Sequence, residues 1–380
     1  MVKILINTIS TKKYSGGAFQ IAQNFLLKTL EHTDVDWYYI TSQDLDDVIG
    51  ENFNRIKGTK YFVFPTQPDF KNTYAKVKKE VLGLEQRIKP DVVYSITAPS
   101  YFTFKTTEVM RFTNPLVTHP NKYSQRKLSF IQKFKTWLYC KNQVRLMKKV
   151  HYFITQTETA KQGILRITGE PNDHVCVVNN VLPSVFKNMD NTPIVEDDYI
   201  NIACVGNPVP HKNFDILPSL IGELKKLGVT KVRFHTTIPF DHPLRTKIEK
   251  DLTNMRLMDN WINHGRVSQQ ELGKIYQRCQ LCYLPTLLEV FSASTVEAMF
   301  FKLPIVATNF EFNTEVLADS CLYYEPMNAK DAASKFAKLV EDKKLQEEMK
   351  VKMAKRLAIY GDYDKHFNEI KKYLIAITKL

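Results

Sequence analysis

Nowhere in the 380 residues do about 18 apolar side chains run uninterrupted, so no membrane-spanning helix is expected. Cysteine is scarce: of six, only Cys279 and Cys282 are closely spaced. A zinc site needs two further ligands at matching spacing, and none is near. The cysteines therefore read as buried thiols, and a reducing cytoplasm is the consistent compartment. The Gly-x-Gly-x-x-Gly fingerprint is missing, which argues against a nicotinamide dehydrogenase. There is no short-period repeat, low-complexity tract or heptad array. The start, MVKILINTIS, has one lysine, a short apolar run and no small-residue cleavage site, so it reads as a first strand rather than a signal peptide.

What is present fits a soluble α/β chain. With 44% hydrophobic and 24% charged residues the composition is globular, and 380 residues suit two domains better than one core. Short apolar runs alternate with amphipathic stretches, the pattern of parallel βαβ units. KILINTI, DWYYIT, YFVFP and DVVYSI read as strands, with a helix from Ala18 to about Leu30 after the first. PLVTHP reads as a strand end, and a long helix is expected from about Lys122 to Lys149 before the strand HYFITQ. The pattern lapses at 183–199, where prolines and aspartates suggest a linker. A second series begins at NIACVGNP and runs through KVRFHTTI, WINHG, LCYLP, PIVAT and CLYYEP. From about Asp331 the chain reads as helical, with Gly361 the evident break. Two domains result, 1–182 and 200–360, and open parallel sheets bind ligands at the carboxyl ends of their strands.

The richest segment is LCYLPTLLEVFSASTVEAMFFKLPIVATNFEFNTEVL. A buried strand leads to a loop carrying Glu289, then to a helix whose start holds Ser292, Ser294, Thr295 and Glu297. A helix N-terminus offers free N–H groups and partial positive charge to a diphosphate, and hydroxyls add donors. Two carboxylates eight residues apart can accept from separate pairs of sugar hydroxyls. The local alternative is a capping box, Ser294 to Glu297, with Glu289 a solvated loop charge. At the opening of the second domain, CVGNPVPHKNFD places Gly206 after a strand, where backbone and phosphate can come close, and Lys212 as a mobile cation. Alone, Lys212 would read as a surface lysine.

This segment resembles the hallmark of the retaining glycosyltransferase family 4: a glutamate, an aromatic and a small residue, then a second glutamate followed by Ala-Met. Glu289, Phe291, Glu297, Ala298 and Met299 match it, with Pro304, Ile305 and Val306 in the following strand. The resemblance implies the α/β GT-B fold, two Rossmann-like domains facing across a cleft, with residues 361–380 forming a helix that packs back on the first domain. It implies a hexosyl transfer from a nucleotide-sugar donor, a UDP-sugar favoured over a GDP-sugar, with no cofactor and no metal. Glu289 would contact the donor sugar and Glu297 the ribose hydroxyls, with Phe291 among the donor-binding residues. Lys212 would neutralise the diphosphate, and backbone near Arg266 and Val267 would read the base. Gly16 and Gly17 are the counterpart of a glycine-rich loop near donor phosphate and acceptor, and His119 of a histidine facing the donor sugar. The leaving phosphate itself would help deprotonate the acceptor on the same face. Three positions depart from the pattern: Ser292 and Lys302 stand where glycine is usual, and Asn207 where an arginine usually joins the lysine. Independently of any ligand, Ser268 to Glu271 reads as a capping box.

Net charge +13 and a pI near 9.2 call for an anionic partner. Between Glu108 and Glu158 there is no acidic residue, while Lys122, Arg126, Lys127, Lys133, Lys135 and neighbouring cations interleave with Leu128, Ile131, Phe134 and Trp137. Such a stretch suits an anionic membrane surface, although its apolar stripe would also pack well on the first sheet. Nucleic acid is not expected, since no binding module accompanies the charge. A glycan or lipid-linked acceptor, for surface polysaccharide or lipopolysaccharide synthesis on the inner face of the plasma membrane, follows from the resemblance. The rivals are a nucleotide-sugar epimerase of the same fold and a non-catalytic polyanion-binding protein.

Overall fold

The computed structural model describes residues 1–13, 17–65, 73–126, 128–194 and 198–379. Gly16 and Lys127 lie outside the described residues. The chain forms two compact units, one comprising Met1–His119, Ile131–Val178 and Asp364–Leu380, the other Pro120–Phe130 and Asn179–Tyr363.

The first unit holds β1 (Lys3–Thr8), β2 (Asp36–Ser42), β3 (Tyr61–Phe64), β4 (Val92–Ser95), β5 (Glu108–Arg111), β6 (Tyr152–Thr155) and β7 (Val175–Val177). They form one parallel sheet in the order β3-β2-β1-β4-β5-β6-β7. Strands covered on both faces must be apolar throughout, and alternate residues of β1 do enter different cores. Ile4 and Ile6 join Phe25, Tyr39 and Tyr94, whereas Leu5 joins Ile40, Val77 and Val93.

The last helix, Tyr363–Ile377, belongs to this first core. Phe367, Ile370, Leu374 and Ile377 recur at helical spacing and are buried there. The Phe367 ring lies 4.9 Å from that of Phe25 and stacks on His32, and Lys371 pairs with Asp34 at 2.9 Å. Gly361, at φ +70, ends the preceding helix Lys343–Tyr360, a conformation that glycine adopts without a side-chain clash. The tail has a further break that the sequence reading lacked. Asp342 ends the helix Ala329–Glu341 and caps the next, its Oδ1 accepting from Leu345 N–H.

The second unit contains β8 (Ile200–Ala203), β9 (Val232–Thr236), β10 (Trp261–Asn263), β11 (Leu281–Leu284), β12 (Ile305–Thr308) and β13 (Cys321–Tyr324). All pair in parallel, in the order β10-β9-β8-β11-β12-β13, which is that of a dinucleotide-type sheet. The segment 183–199, expected as a linker, instead contributes the short helix Ser184–Lys187. Its Phe186 is fully buried against Tyr276 and Phe301, so burial of one aromatic outweighs the surrounding prolines and aspartates.

Two local expectations in the basic stretch are corrected. The helix there is Phe130–Met147, not one starting near Lys122. Residues 122–126 are turns, because Asn121 Oδ1 accepts from the N–H groups of Tyr123 and Ser124 and competes with helical bonding. His119 does not end a strand: it follows the helical turn Pro115–Thr118, which Asn114 caps through Leu116 N–H.

Candidate functional site

Strand order in the second sheet reverses between β8 and β11, and ligands of such sheets settle outside the carboxyl ends at that point. The loops leaving those two strands carry Gly206 and Lys212 from β8, and Glu289 and Ser292 from β11. Gly206 has φ +139, and its N–H donates to Thr237 Oγ1 at 3.0 Å. The two loops are tied by backbone: Leu287 N–H donates to the His211 carbonyl at 2.7 Å. From the neighbouring strand end Thr308 Oγ1 holds the Thr286 carbonyl at 2.6 Å, and Asn121 Nδ2 holds that of Leu287 at 2.7 Å.

With the loops fixed, Lys212 Nζ reaches Glu289 Oε2 at 2.5 Å and Ser292 Oγ at 3.4 Å. Burial pushes the Glu289 carboxyl up, but the Lys212 charge and hydrogen bond, with help from His211, outweigh it and hold the group below the ordinary carboxylate range. His211 itself is pushed down, first by burial, and so is favoured neutral. Ser292 is the N-cap of the helix Ala293–Phe300, yet its hydroxyl makes no capping bond to its own helix. Lys212, Glu289 and Ser292 therefore meet at a helix N-terminus, where the first N–H groups of a helix have no partner within the helix itself.

Glu297 lies one turn into that helix and is 5% exposed. The alternative capping box from Ser294 does not form. Ser294 is already inside the helix, and Glu297 Oε2 instead accepts from the Tyr276 hydroxyl at 2.7 Å. Burial raises the Glu297 carboxyl to about 7, against lowering by the Tyr276 bond and the Lys212 charge. Thr295 is buried. Phe291, expected at the donor, turns inward: it is 5% exposed and edge-on to Tyr360, with ring centres 5.2 Å apart, so its part is to anchor the loop. At the end of β10, Gly265 (φ +71) precedes exposed Arg266 and partly buried Val267. The Ser268–Glu271 capping box is formed in full, fixing where that loop gives way to helix.

The first unit holds the remaining candidates. Gly17 opens the helix Gly17–Thr29, with open space where a Cβ would stand. His119 Nδ1 lies 2.8 Å from Thr118 Oγ1. The Thr118 carbonyl sits so close to Gly163 that a Cβ there would come within 2.2 Å, and it accepts from Arg166 at 2.7 Å. Of the expected surface cations, Lys122 and Arg126 fall in turns of the second unit, whereas Lys133, Lys135 and Trp137 are exposed on the helix Phe130–Met147. Asp44 and Asp46, two apart just after β2, are engaged locally, by Lys13 N–H and by Lys57 at 2.9 Å. Among the described residues no three His, Cys, Asp or Glu side chains group as metal ligands.

Sequence reasoning missed Tyr276, His211 and Asn121. His211 adjoins Lys212 in the quoted motif, a signal that was there to use. Tyr276 comes from the helix Gln269–Arg278 and Asn121 from beyond the first unit's β5, and nothing local marks either as a partner of Glu297 or Leu287.

Residues 186–356 match the family described as Glycosyl transferases group 1. A protein of the cps region of Klebsiella pneumoniae is 26% identical over 215 residues, covering 52% of this chain and 54% of that one. The chain spans about half the length of the curated relatives it matches. The structure of HepE from Anabaena in complex with UDP and glucose superposes with a TM-score of 0.70 at 13% identity, covering 99% of this chain and all of that one. The lipopolysaccharide outer core galactosyltransferase WaaB in its apo form gives 0.67 at 12%, with both chains fully covered. The fold is thus that of the GT-B glycosyltransferases.

Proposed function

We propose, from a second unit whose residues 186–356 carry the group 1 glycosyltransferase sequence, that this chain transfers a hexosyl group from a nucleotide-diphosphate sugar to a glycan or lipid-linked acceptor. The observation that carries the proposal is the meeting of Lys212, Glu289 and Ser292 at the helix start, one turn from buried Glu297. A diphosphate set there would draw Lys212 from Glu289 and gain the first N–H groups of the helix. Glu289, released but still ionised, would accept from the sugar hydroxyls, and Glu297 from the ribose diol. Exposed Asn207 supplies no charge, so Lys212 carries the neutralisation together with the helix dipole.

The match of Glu289, Phe291 and Glu297 to the pattern of the retaining family 4 supports transfer with retention, the leaving phosphate taking the acceptor proton. A UDP-sugar is favoured, since HepE was solved with UDP. A surface glycan or its lipid-linked precursor is favoured as acceptor, by the cps-region relative and the lipopolysaccharide enzyme WaaB. Lys212 makes the reaction independent of metal. A panel of labelled UDP- and GDP-sugars, incubated in EDTA with glycan acceptors, tests this. Transfer or slow donor hydrolysis from a UDP-sugar is expected. An epimerised donor with no transfer would replace the reading with an epimerase, and turnover only on addition of Mn²⁺ or Mg²⁺ would overturn the phosphate assignment.

A further inference from the structure

The helix Phe130–Met147 buries only Gln143 and Met147, against the expectation that its apolar stripe packs on the first sheet. Phe130 is 85% exposed, Ile131 65%, Phe134 54%, Trp137 51% and Leu138 47%. The helix is divided along its length more than around it. Phe130, Phe134, Trp137, Lys141 and Arg145 succeed one another at helical spacing on one face, apolar for the first turns and cationic thereafter. The Phe134 and Trp137 rings stack with centres 5.8 Å apart, and Lys141 Nζ lies 4.9 Å from the Trp137 ring. Lys133 and Lys135 flank the apolar turns, and Lys148 and Lys149 follow the helix.

We propose that this helix docks on an anionic lipid surface, its apolar N-terminal turns entering the interface and its cationic half meeting the headgroups. Charge selects this occupant. A second copy would set six cations of the helix and its end against six others, with no carboxylate between Glu108 and Glu158 to pair them. A nucleic acid would satisfy the lysines but leave Phe130 and Ile131 in water. Among the described residues no helix is long and apolar enough to cross a membrane, so the contact is peripheral. The inference stands on this helix alone and does not rest on the donor site.

The three tryptophans make it measurable. Trp37 and Trp261 are each 6% exposed, so changes in emission report on Trp137. The full chain is mixed with phosphatidylcholine vesicles, with or without roughly one-third phosphatidylglycerol, and followed by sedimentation and by quenching with brominated lipid. Partition at least roughly tenfold stronger on the anionic vesicles is expected, with a blue shift, quenching, and weakening at high salt. Phe134→Ser with Trp137→Ser should abolish insertion, and Lys133→Glu with Lys135→Glu and Lys141→Glu should abolish the anionic preference. Unchanged melting of each variant controls for the fold without use of activity. The proposal is overturned if Trp137 stays unquenched on both vesicles, if both variants partition like the parent, if a lipid-free dimer shields Trp137, or if duplex RNA shifts its emission where vesicles do not.

Discussion

The loop at Glu289 and the helical turn at Glu297 lie eight residues apart in one sequence pattern, yet their surroundings treat a carboxylate in opposite ways. At Glu289 the Lys212 ammonium holds the charge in place against burial. At Glu297 burial prevails and carries the group to about 7, with a neutral tyrosine as its partner. The pattern of a motif thus says which residues gather, whereas the ionisation of each is decided by elements from elsewhere in the chain. Lys212 arrives from the loop after β8, and Tyr276 from the helix before β11.

The sharpest way to break this contrast is to remove the cation. Lys212→Ala removes the cation paired with half-buried Glu289, the one that the proposed diphosphate would meet. Turnover should fall by roughly a hundredfold, the scale of a lost charge-stabilising donor. Steady-state kinetics on a UDP-sugar checks this, and a loss below about threefold would return Lys212 to the surface lysines.

A smaller effect lies in pH. Because the folded-state value of Glu297 is raised from 4.5 to about 7, the folded chain binds more protons than the unfolded one between those limits. Stability from this group therefore falls as pH rises through that window. Glu108, buried in the first unit beside Ser95 and also raised to about 7, acts in the same sense. Glu289, lowered, has the opposite sign: its contribution is present above the ordinary carboxylate range and is lost as pH falls. Glu297→Gln should flatten the fall and stabilise the chain above pH 7 by on the order of 2 kcal/mol, read by denaturant unfolding across the window. An unchanged slope would mean that burial does not hold the Glu297 proton.

Smallest is Tyr276→Phe, which deletes one hydrogen bond and leaves the ring. The change should raise the Glu297 value further, since that bond lowers it, and weaken nucleotide binding by about 1 kcal/mol. The informative readout is a shift of the binding inflection to higher pH, which lost packing alone would not produce.

Much of this was legible in the sequence. Apolar runs such as KILINT and LCYL, buried on both faces, announce parallel strands, and Glu289, Phe291 and Glu297 carry the family pattern. Other features were not. Ser294 and Glu297 satisfy the spacing of a capping box, but the helix begins two residues earlier than such a box requires, so the carboxylate is free to meet Tyr276. Phe291 sits in the motif and yet faces Tyr360, a contact between residues far apart in sequence. The helix Phe130–Met147 has the composition of an amphipathic core helix, and only the fold reveals that its aromatic turns find no cover.

The central claim is that Glu297, buried as it is, belongs to a nucleotide site and not merely to the core. Calorimetric titration of the intact chain with UDP, beside Glu297→Ala, tests it most directly. The account predicts binding by the parent in EDTA and a loss of roughly 1.5–3 kcal/mol in the variant, with melting that remains cooperative. Equal affinity for UDP and GDP in parent and variant would contradict it and leave Glu297 as a packing residue held by Tyr276.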